Sequence, residues 1–577
     1  MKNTIKNIDA ATFLILIIII VSGFLTPDRI LISNYEKLAG HSINNFSVEI
    51  IILFKNIILC ILTLAMIIAL GSKYNANKKN KIKTIDKKNI FMSLLFPILI
   101  LLLIQSFFIK PFIDDAFISF RYAKNLFEKG QLAFNMNEPP VEGYTHPLWV
   151  FLLLIPQFLE INTFLFIKII GLLFSLATLI LVYFISGKNP VATGLYALSP
   201  SVAGWTMTGL ETPMYVALSL LFIHLFLKEK YISCSFLLFL VTLTRPEGLV
   251  LLFPAIFILI QHHKLRMKNL VKFITPFFTA YFIYNIWKYI YFGDLLPNTF
   301  YVKSHFLVGV PYIIDFIFFT APLTLSVLFY ALYARFKMPQ NFSEKFLIKG
   351  KKDMFILLCF IFTLFSYFNL QQVTGFYYRF FQLPLVLLYI FSSTSIYAII
   401  IKLRAFANKK NIQLLSTCLI VLFFASNSYD LPKAIVYFNI HYDGLEKAHI
   451  SLAKWLSQQY PENYTAALSD IGAFSYYSDF EIIDMYGLTD KVLSRGFNAT
   501  YLLERNPEII ILDSSSTSKF IQTADLYSAN KQDLLLYNDM RFQKKYVFLN
   551  KTFEHTPPIV LWPFKRIDIS EHNSTRS

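Results

Sequence analysis

The sequence has few charged residues and few cysteines. Charged residues make up 15% of the 577 residues, below the roughly 25% of an ordinary soluble domain. The four cysteines, Cys60, Cys234, Cys359 and Cys418, all lie inside apolar runs without CxxC spacing. This pattern indicates neither a disulfide framework nor a cysteine zinc site. No A-x-A-like cleavage site follows the first apolar run, so we interpret it as a retained helix.

Apolar residues are abundant instead. They make up 55% of the chain, 60 residues are phenylalanine, and the mean hydropathy is +0.52. A soluble globule of this size could not cover so much apolar surface, whereas a bilayer can solvate it. A spanning helix needs about 20 apolar residues. Thirteen runs meet or approach this length: 10–25, 48–70, 90–109, 163–186, 190–205, 212–228, 231–244, 247–262, 270–291, 312–335, 354–370, 380–401 and 412–428.

The basic residues predict an orientation. The net charge is +17, but Lys and Arg lie in short loops between apolar runs, which is typical of membrane topology and not of nucleic-acid binding. If the short run 147–159 lies along the interface, the loops assigned to the cytoplasm carry 26 Lys and Arg, against nine in the short outer loops. If it crossed, the seven lysines of 73–88 would lie outside. We therefore predict a cytoplasmic N-terminus and an extracytoplasmic C-terminus.

The predicted organisation has two parts. Residues 1–428 form a transmembrane domain whose first large outer loop, 110–162, carries juxtamembrane helices. Residues 429–577 are richer in Asp, Ser and Asn, contain no spanning run, and are predicted to be a small extracytoplasmic α/β domain. Its predicted elements are a helix at 445–459, strands at 464–469 and 480–486, a helix at 490–504, and strands at 508–513 and 545–549.

Two adjacent acids stand out at a predicted helix end. Asp114 and Asp115 follow an apolar run and begin a helical stretch that Gly130 closes. An N-cap role is the simple interpretation for one of them. It does not account for both, because adjacent carboxylates beside hydrocarbon are costly to ionise. The pair is therefore a candidate general base.

Other polar segments share the predicted outer face. They are VEGYTHPLW at 141–149, TGLETP at 208–213, TRPEG at 244–248, GDLLPNTFYVK at 293–303 with His305, and FYYRFF at 376–381. For several of these residues a structural role is the alternative: Glu211 could cap a helix, Arg245 and Glu247 could pair, and Arg379 could reach the headgroups. In a cavity, Arg379 would clamp a phosphate. Carboxylates beside cations on one face suit transfer of a sugar from a lipid phosphate to a hydroxyl.

Several segments together resemble one bacterial family of the GT-C superfamily of polyprenyl-phosphate-sugar-dependent glycosyltransferases. They are DDAFISFRYAKNL, VEGYTHPLW, GLETP, LTRPEG, GDLLPNTFYVK, YRFFQLPL and SDIGAFSYYSDFEIIDMYGLTD. The nearest named relatives are the mycobacterial terminal arabinofuranosyltransferases, with aminoarabinose lipid A transferases and protein O-mannosyltransferases further away. The resemblance implies a polytopic α-helical GT-C fold of about 13 transmembrane helices, catalytic Asp114 and Asp115, and inverting displacement of polyprenyl phosphate.

With the resemblance, the remaining candidates receive expected roles. Donor phosphate binding is expected of Arg121, Arg245, Lys303, His305 and Arg379. Substrate binding is expected of Tyr122, Glu142, Tyr144, His146, Trp149, Glu211, Glu247 and Asn298. Asp470 and Asp484 belong to the motif in the tail, where they either grip the acceptor or have a structural role. No metal-ligand cluster is visible and no cofactor is expected, although a double Asp could hold a divalent cation.

The leading hypothesis is a glycosyltransferase of a bacterial inner membrane with a cell-envelope glycan, lipid or protein as acceptor. The alternatives are a transporter or flippase of lipid-linked sugars and a surface-polysaccharide polymerase or ligase. A transporter should place charges near the middle of the bilayer, often in paired halves, and this chain concentrates them at one face. This chain departs from typical members of the family in two ways. Two apolar runs precede the helix that leads to Asp114, and the tail is shorter than the C-terminal domain of the arabinosyl enzymes. The identity of the transferred sugar therefore stays open.

Overall fold

The computed structural model describes most of the chain. The described residues are 87–261, 266–303, 307–328, 351–369, 375–403, 421, 423–514, 531–555 and 559–567. The predicted helices 10–25 and 48–70 and the candidate His305 lie outside them, as does most of the run 412–428.

The first described part is helical. Its helices are α1 Lys87–Ser106, α2 Asp114–Lys129, α3 Pro147–Leu152, α4 Leu154–Phe158, α5 Thr163–Ile185, α6 Pro190–Ala197, α7 Pro200–Thr206, α8 Thr212–Leu227, α9 Tyr231–Thr244, α10 Leu252–Gln261, α11 Arg266–Phe292, α12 Asn298–Lys303, α13 Val310–Phe319, α14 Ala321–Leu328, α15 Lys351–Phe365 and α16 Gln382–Leu403. Short 3₁₀ turns occupy Pro246–Leu251 and Phe376–Tyr378.

Three predicted runs are not single helices in the described residues. The run 312–335, described as far as Leu328, consists of α13 and α14 with a bend of 80° between them. The run 190–205 is broken into α6 and α7, because Ser199 caps a new helix that begins at Pro200. The run 247–262 is a 3₁₀ turn followed by α10, since Pro246 begins the segment in a tighter geometry.

One described helix, Thr163–Ile185, is long and apolar enough to cross a bilayer alone. The pair α13 and α14, bent by 80°, would be a second if it were counted as one span. Large apolar side chains of α5 and α11 face outward, such as Leu165 at 61% exposure and Ile290 at 77%. Such a surface is costly in water and suits contact with lipid.

The doubtful run 147–159 forms two short helices, α3 and α4. Neither reaches the length of a span. Phe151, Ile155 and Phe158 are exposed on them and form an apolar face. Their position along the membrane surface stays a prediction.

The C-terminal part is mixed. Its helices are α17 Leu431–Leu445, α18 Ser451–Ser457, α19 Gly472–Ser478, α20 Ala499–Glu504, α21 Lys531–Tyr537 and α22 Met540–Lys545, and a π turn at Glu446–Ile450 joins the first two. Its strands are β1 Thr465–Leu468, β2 Glu481–Asp484, β3 Ile509–Ser514, β4 Tyr546–Phe548, β5 Phe553–His555 and β6 Ile559–Arg566. The sheet order is β2-β1-β3-β6-β4, with β5 also on β6. Strands β2, β1 and β3 are parallel, and β6 pairs antiparallel with β3, β4 and β5.

The predicted strands of this part fall on β1, β2, β3 and β4, but three expectations need correction. The first helix begins at Leu431 and not at 445. The helix at 490–504 is instead a 3₁₀ turn and α20, because Gly496 (φ 144°) breaks it. Strand β6 was missed although it lies inside the sheet, because Pro563 argues against an interior strand. The carbonyl oxygen of Pro563 still accepts a hydrogen bond from Leu549 N–H.

The C-terminal part packs directly on the helical part. Helix α19 lies against α2, and a single apolar core runs from the helices to one face of the sheet. A second, smaller core covers the other face. Gly472 permits the closest approach, since a Cβ there would lie 2.0 Å from the carbonyl oxygen of Asp114. The contact brings the acidic pair to the boundary between the two parts.

Candidate active site

The acidic pair opens helix α2. Asp114 and Asp115 are its first two residues, and Ile113 N–H before them donates to Thr208 O at 3.3 Å. Consecutive residues of a helix point about 100° apart. The two carboxylates therefore face different partners.

Asp115 faces the helical part. Its Oδ2 accepts a hydrogen bond from Arg379 Nη1 at 2.8 Å, and its side chain is 23% exposed. Arg379 follows a strained turn in which Tyr377 and Tyr378 have φ of 47° and 57°. Trp205 holds this turn by donating to Phe376 O at 3.0 Å. Left-handed backbone at two bulky residues is costly and concentrates at functional sites.

Glu211 is the centre of a buried charged network. It accepts from Arg245 Nη1 at 2.8 Å and lies 3.7 Å from Arg379 Nη2. Arg245 also donates to Glu247 at 3.0 Å. Burial would raise the pKa of Glu211, but His146 and the two arginines lower it to about 2. Glu211 is thus ionised at any physiological pH, and it fixes Arg379 beside Asp115.

His146 extends the network to α2. Its Nε2 lies 2.6 Å from Ser119 Oγ, and its Nδ1 lies 3.6 Å from Glu211 Oε2. Burial lowers the pKa of His146, against the opposing effect of the Glu211 carboxylate. The order Ser–His–Glu is that of a hydrolase triad. Ser119 is only 1% exposed, however, so its hydroxyl orients His146 and is closed to a substrate.

Lys303 brings a third cation. It ends α12, and the charges of Asp115, Arg379 and Glu211 all act on its amine. Burial lowers its pKa. Among the described residues, no carboxylate makes a direct ion pair with Lys303. The Lys303 amine and the Arg379 guanidinium thus both act on the carboxylate of Asp115.

Asp114 faces the C-terminal part. Its Oδ1 accepts from Ala473 N–H at 2.7 Å and its Oδ2 from Gly472 N–H at 2.9 Å. Burial raises its pKa to about 6, against the opposing effects of His449 and of the Ala473 hydrogen bond. Both oxygens of Asp114 are engaged with the start of α19, whereas Asp115 keeps an exposed edge.

Three other candidates hold segments together. Arg121 donates to the carbonyl oxygens of Phe134, Ser475 and Phe480. Asn298 donates to the carbonyl oxygens of Gly487, Leu488 and Asp490. Asp484 accepts from the N–H groups of Tyr486, Gly487 and Thr489, and burial raises its pKa to about 6. Each of these side chains is occupied by main-chain groups at the boundary of the two parts.

The remaining candidates of the 141–149 loop are buried. Glu142 pairs with Lys288 at 2.5 Å, and burial raises its pKa to about 6. Tyr122 donates to Val141 O at 2.6 Å, and its ring packs edge-on against Tyr144 at 4.7 Å. Trp149 donates to Gly209 O at 3.2 Å. These contacts position the loop that presents His146.

Sequence reasoning missed three contributors. Lys168 Nζ donates to the carbonyl oxygens of Pro111 and Met207 and so ties the Asp114 loop to the Glu211 loop. Lys288 pairs with Glu142. A lysine inside an apolar run is costly unless it is paired, and this signal would have found both. His449, which lies near Asp114 and Asp470, has no such signal in the sequence.

The structure thus brings together Asp115, Glu211, Arg245, Glu247, Arg379, Lys303 and His146, which come from all the predicted outer segments of the helical part. In the described residues, no group of three or more His, Cys, Asp or Glu side chains has a metal-binding arrangement. The three cations and three carboxylates of this set balance one another, with the exposed edge of Asp115 at its rim.

Comparison of the sequence with known families gave one match. A family described as a domain of unknown function (DUF8728) matches residues 438–561, which is most of the C-terminal part. No curated protein matched the sequence.

Solved structures resemble most of the chain. ArnT from Cupriavidus metallidurans bound to undecaprenyl phosphate aligns with a TM-score of 0.50 at 10% identity, over 82% of this chain and 98% of that chain. The apo state of the same enzyme gives 0.49 at 10% identity, over 82% and 97%. Arabinofuranosyltransferase AftD from Mycobacteria gives 0.47 at 13% identity, over 84% of this chain and 40% of that chain. The likeness to the ArnT complex shows that this chain has the GT-C fold, which is the fold that the resemblance implied.

Proposed function

We propose that this protein is an integral membrane glycosyltransferase that moves a sugar from a polyprenyl-phosphate donor to a hydroxyl of a cell-envelope acceptor. The observation that carries the proposal is the partly exposed Asp115 carboxylate, which is held by Arg379 and whose charge acts on the amine of Lys303. The fold supports it, since the solved structure of ArnT that shares it contains undecaprenyl phosphate. The protein would lie in a bacterial inner membrane, with the site and the C-terminal part on the extracytoplasmic side.

Asp115 is assigned as the general base. Its carboxylate takes the proton of the acceptor hydroxyl while the hydroxyl oxygen attacks the anomeric carbon of the donor. A bond forms between that oxygen and the anomeric carbon, and the bond from the carbon to the phosphate oxygen breaks. Polyprenyl phosphate leaves with the electron pair, and the anomeric configuration is inverted. Asp114 is a poorer candidate for the base, because two main-chain N–H groups already occupy its oxygens.

Lys303 and Arg379 are assigned to the leaving phosphate. A guanidinium and an ammonium in a site of low dielectric stabilise the charge that develops on the departing oxygen. Glu211 and Arg245 hold Arg379 in place and make no contact with substrate in this scheme. We expect the reaction to run without a cofactor, and activity retained after chelation of divalent cations would support this.

Binding of undecaprenyl phosphate to the purified protein in nanodiscs tests the proposal. We expect Arg379→Gln and Lys303→Gln each to raise the Kd by about tenfold or more, because each removes a charged contact worth roughly 1.5–3 kcal/mol. Lys124→Gln is the control, since Lys124 pairs with Asp479 at the surface. A wild-type protein that does not bind undecaprenyl phosphate, or two variants that bind it as tightly as wild type, would refute the proposal.

A further inference from the structure

The C-terminal part places a further acid near the acidic pair. Asp470 lies two residues before Gly472, whose N–H donates to the Asp114 carboxylate. The Asp470 side chain is 54% exposed, and the charges of Asp115 and His555 act on it. Asp470 is therefore an exposed carboxylate at the boundary of the two parts.

His449 lies behind Asp470. It is 2% exposed, and its Nε2 is 3.7 Å from Asp470 Oδ2. Within the described residues, neither of its ring nitrogens has a hydrogen-bond partner at ordinary distance. It sits in the π turn Glu446–Ile450, a local distortion that is frequent at functional sites. The imidazole has Asp470 as its closest acidic partner, so it restrains that carboxylate.

Aromatic rings lie next to His449, because the His555 ring is 5.7 Å from the His449 ring between centroids. The His441 ring lies 5.2 Å from His555 and 5.5 Å from Phe376 between centroids, and it stacks on Tyr437 with an interplanar angle of 6°. Phe376 belongs to the turn that presents Arg379. Tyr437 is 37% exposed. This region of the boundary thus combines ring faces with a carboxylate and includes groups from both parts of the chain.

We propose that Asp470, oriented by His449, binds the acceptor, and that the acceptor is a saccharide. This inference rests on the proposed transferase function and names its substrate class. Asp115 uses one acceptor hydroxyl for the reaction. Asp470 is a second carboxylate that needs hydroxyl donors of its own, and a chain of sugars supplies several hydroxyls at once. The C–H faces of sugar rings also pack on aromatic rings, whereas a serine or threonine side chain offers one hydroxyl and no such face.

The test uses the full-length protein in nanodiscs. The donor is the lipid extract of a strain lacking this protein, and the acceptors are the envelope polysaccharide and the solubilised envelope proteins of that strain. We expect Asp470→Asn to raise the KM for polysaccharide by about tenfold or more, the size of effect that follows the loss of a charged hydrogen bond. The Kd for undecaprenyl phosphate should stay within about twofold, since Asp470 is not assigned to the donor.

A double variant separates positioning from contact. We expect His449→Gln to raise the KM less than Asp470→Asn does, and to add nothing when the two are combined, because His449 acts through Asp470. If His449 had only a general structural role, the effects of the two substitutions on KM would add, and His449→Gln would lower the melting temperature. Asp479→Asn is the matched control, because Asp479 crosses the same boundary to Lys124 and has a left-handed φ of 57° that asparagine tolerates.

The outcomes distinguish the two proposals. An unchanged KM in Asp470→Asn, or transfer to protein and not to polysaccharide, would overturn this inference and leave the transferase function standing. Failure of the wild-type protein to bind undecaprenyl phosphate would overturn the transferase function and this inference with it.

Discussion

The two sides of the acidic pair differ in what they contact. Asp115 meets charged side chains delivered by loops of the helical part, with Arg379 as its direct partner. Asp114 meets main-chain N–H groups of the C-terminal part, at the start of α19. Two chemically identical neighbours thus occupy different settings: Asp115 a partly exposed position, which we propose is the reactive one, and Asp114 a position that anchors the C-terminal part. The difference shows that a DD motif in the sequence locates the pair in the fold, whereas the surroundings of each carboxylate decide what that carboxylate contacts.

The strongest way to break this comparison is to neutralise each acid singly. We expect Asp115→Asn to lower kcat by about 10²–10⁴, the usual contribution of a general base. Its melting temperature and its affinity for undecaprenyl phosphate should change little. Asp114→Asn should lower kcat less and should make the C-terminal part easier to cleave by protease. Asparagine keeps one acceptor oxygen, and its NH₂ cannot accept the second of the two hydrogen bonds from Gly472 and Ala473. If the two variants lost the same amount of kcat and were equally stable, the assignment of Asp115 as the base and Asp114 as the anchor would be wrong.

The second prediction concerns the network behind Asp115. Glu211→Gln leaves buried arginines without their shared carboxylate, so we expect a loss of stability of about 3 kcal/mol. Apparent melting temperature and the Kd for undecaprenyl phosphate are the measurements. Glu247→Gln is the matched control, because Glu247 pairs with Arg245 alone in this network. If the control were as damaging as Glu211→Gln, Glu211 would not be the centre of the network.

The third prediction concerns the pH dependence of stability that the buried Asp484 of the C-terminal part contributes. The pKa of Asp484 is raised to about 6 by burial, above that of an exposed aspartate. Between pH 4 and pH 6 the folded protein therefore binds a proton at Asp484 that the unfolded chain does not. The protonated carboxyl favours folding at low pH, and this contribution is lost as the pH rises. The difference is at most about 3 kcal/mol. Asp484→Asn should therefore lower the melting temperature more at pH 5 than at pH 7.5, and the opposite order would contradict the prediction.

The smallest effect is expected at the surface of the boundary. Lys124 and Asp479 pair at 2.7 Å, with side chains 25% and 49% exposed. Exposed pairs are worth roughly 0–1 kcal/mol and are screened by salt. Lys124→Gln should leave kcat unchanged and shift the melting temperature only slightly. A large shift would show that docking of the C-terminal part depends on surface charge as well as on Asp114.

The sequence predicted more of the candidate site than of the details of the fold. Glu211, Arg245 and Arg379 were identified because charge beside apolar runs is costly and therefore seldom incidental. Lys168 lies inside the apolar run 163–186 and carries the same signal, a charge that is costly beside hydrocarbon. Arg121 was expected to bind the donor phosphate and Asn298 to bind substrate, and the structure shows both donating to carbonyl oxygens of the C-terminal part. Their side chains are the same in either setting, so sequence alone could not separate the two.

Hydrophobic periodicity and length by themselves determined that this chain is a bundle of apolar helices followed by a separate mixed segment, because burial of apolar surface acts over short stretches that a sequence displays. Tertiary structure alone decided which acid faces which partner, where His449 lies, and that β6 with its Pro563 enters the sheet. Those outcomes depend on contacts between residues far apart in the chain. Such contacts are selected by packing and by the cost of leaving buried polar groups unpaired, and neither can be read from neighbouring residues.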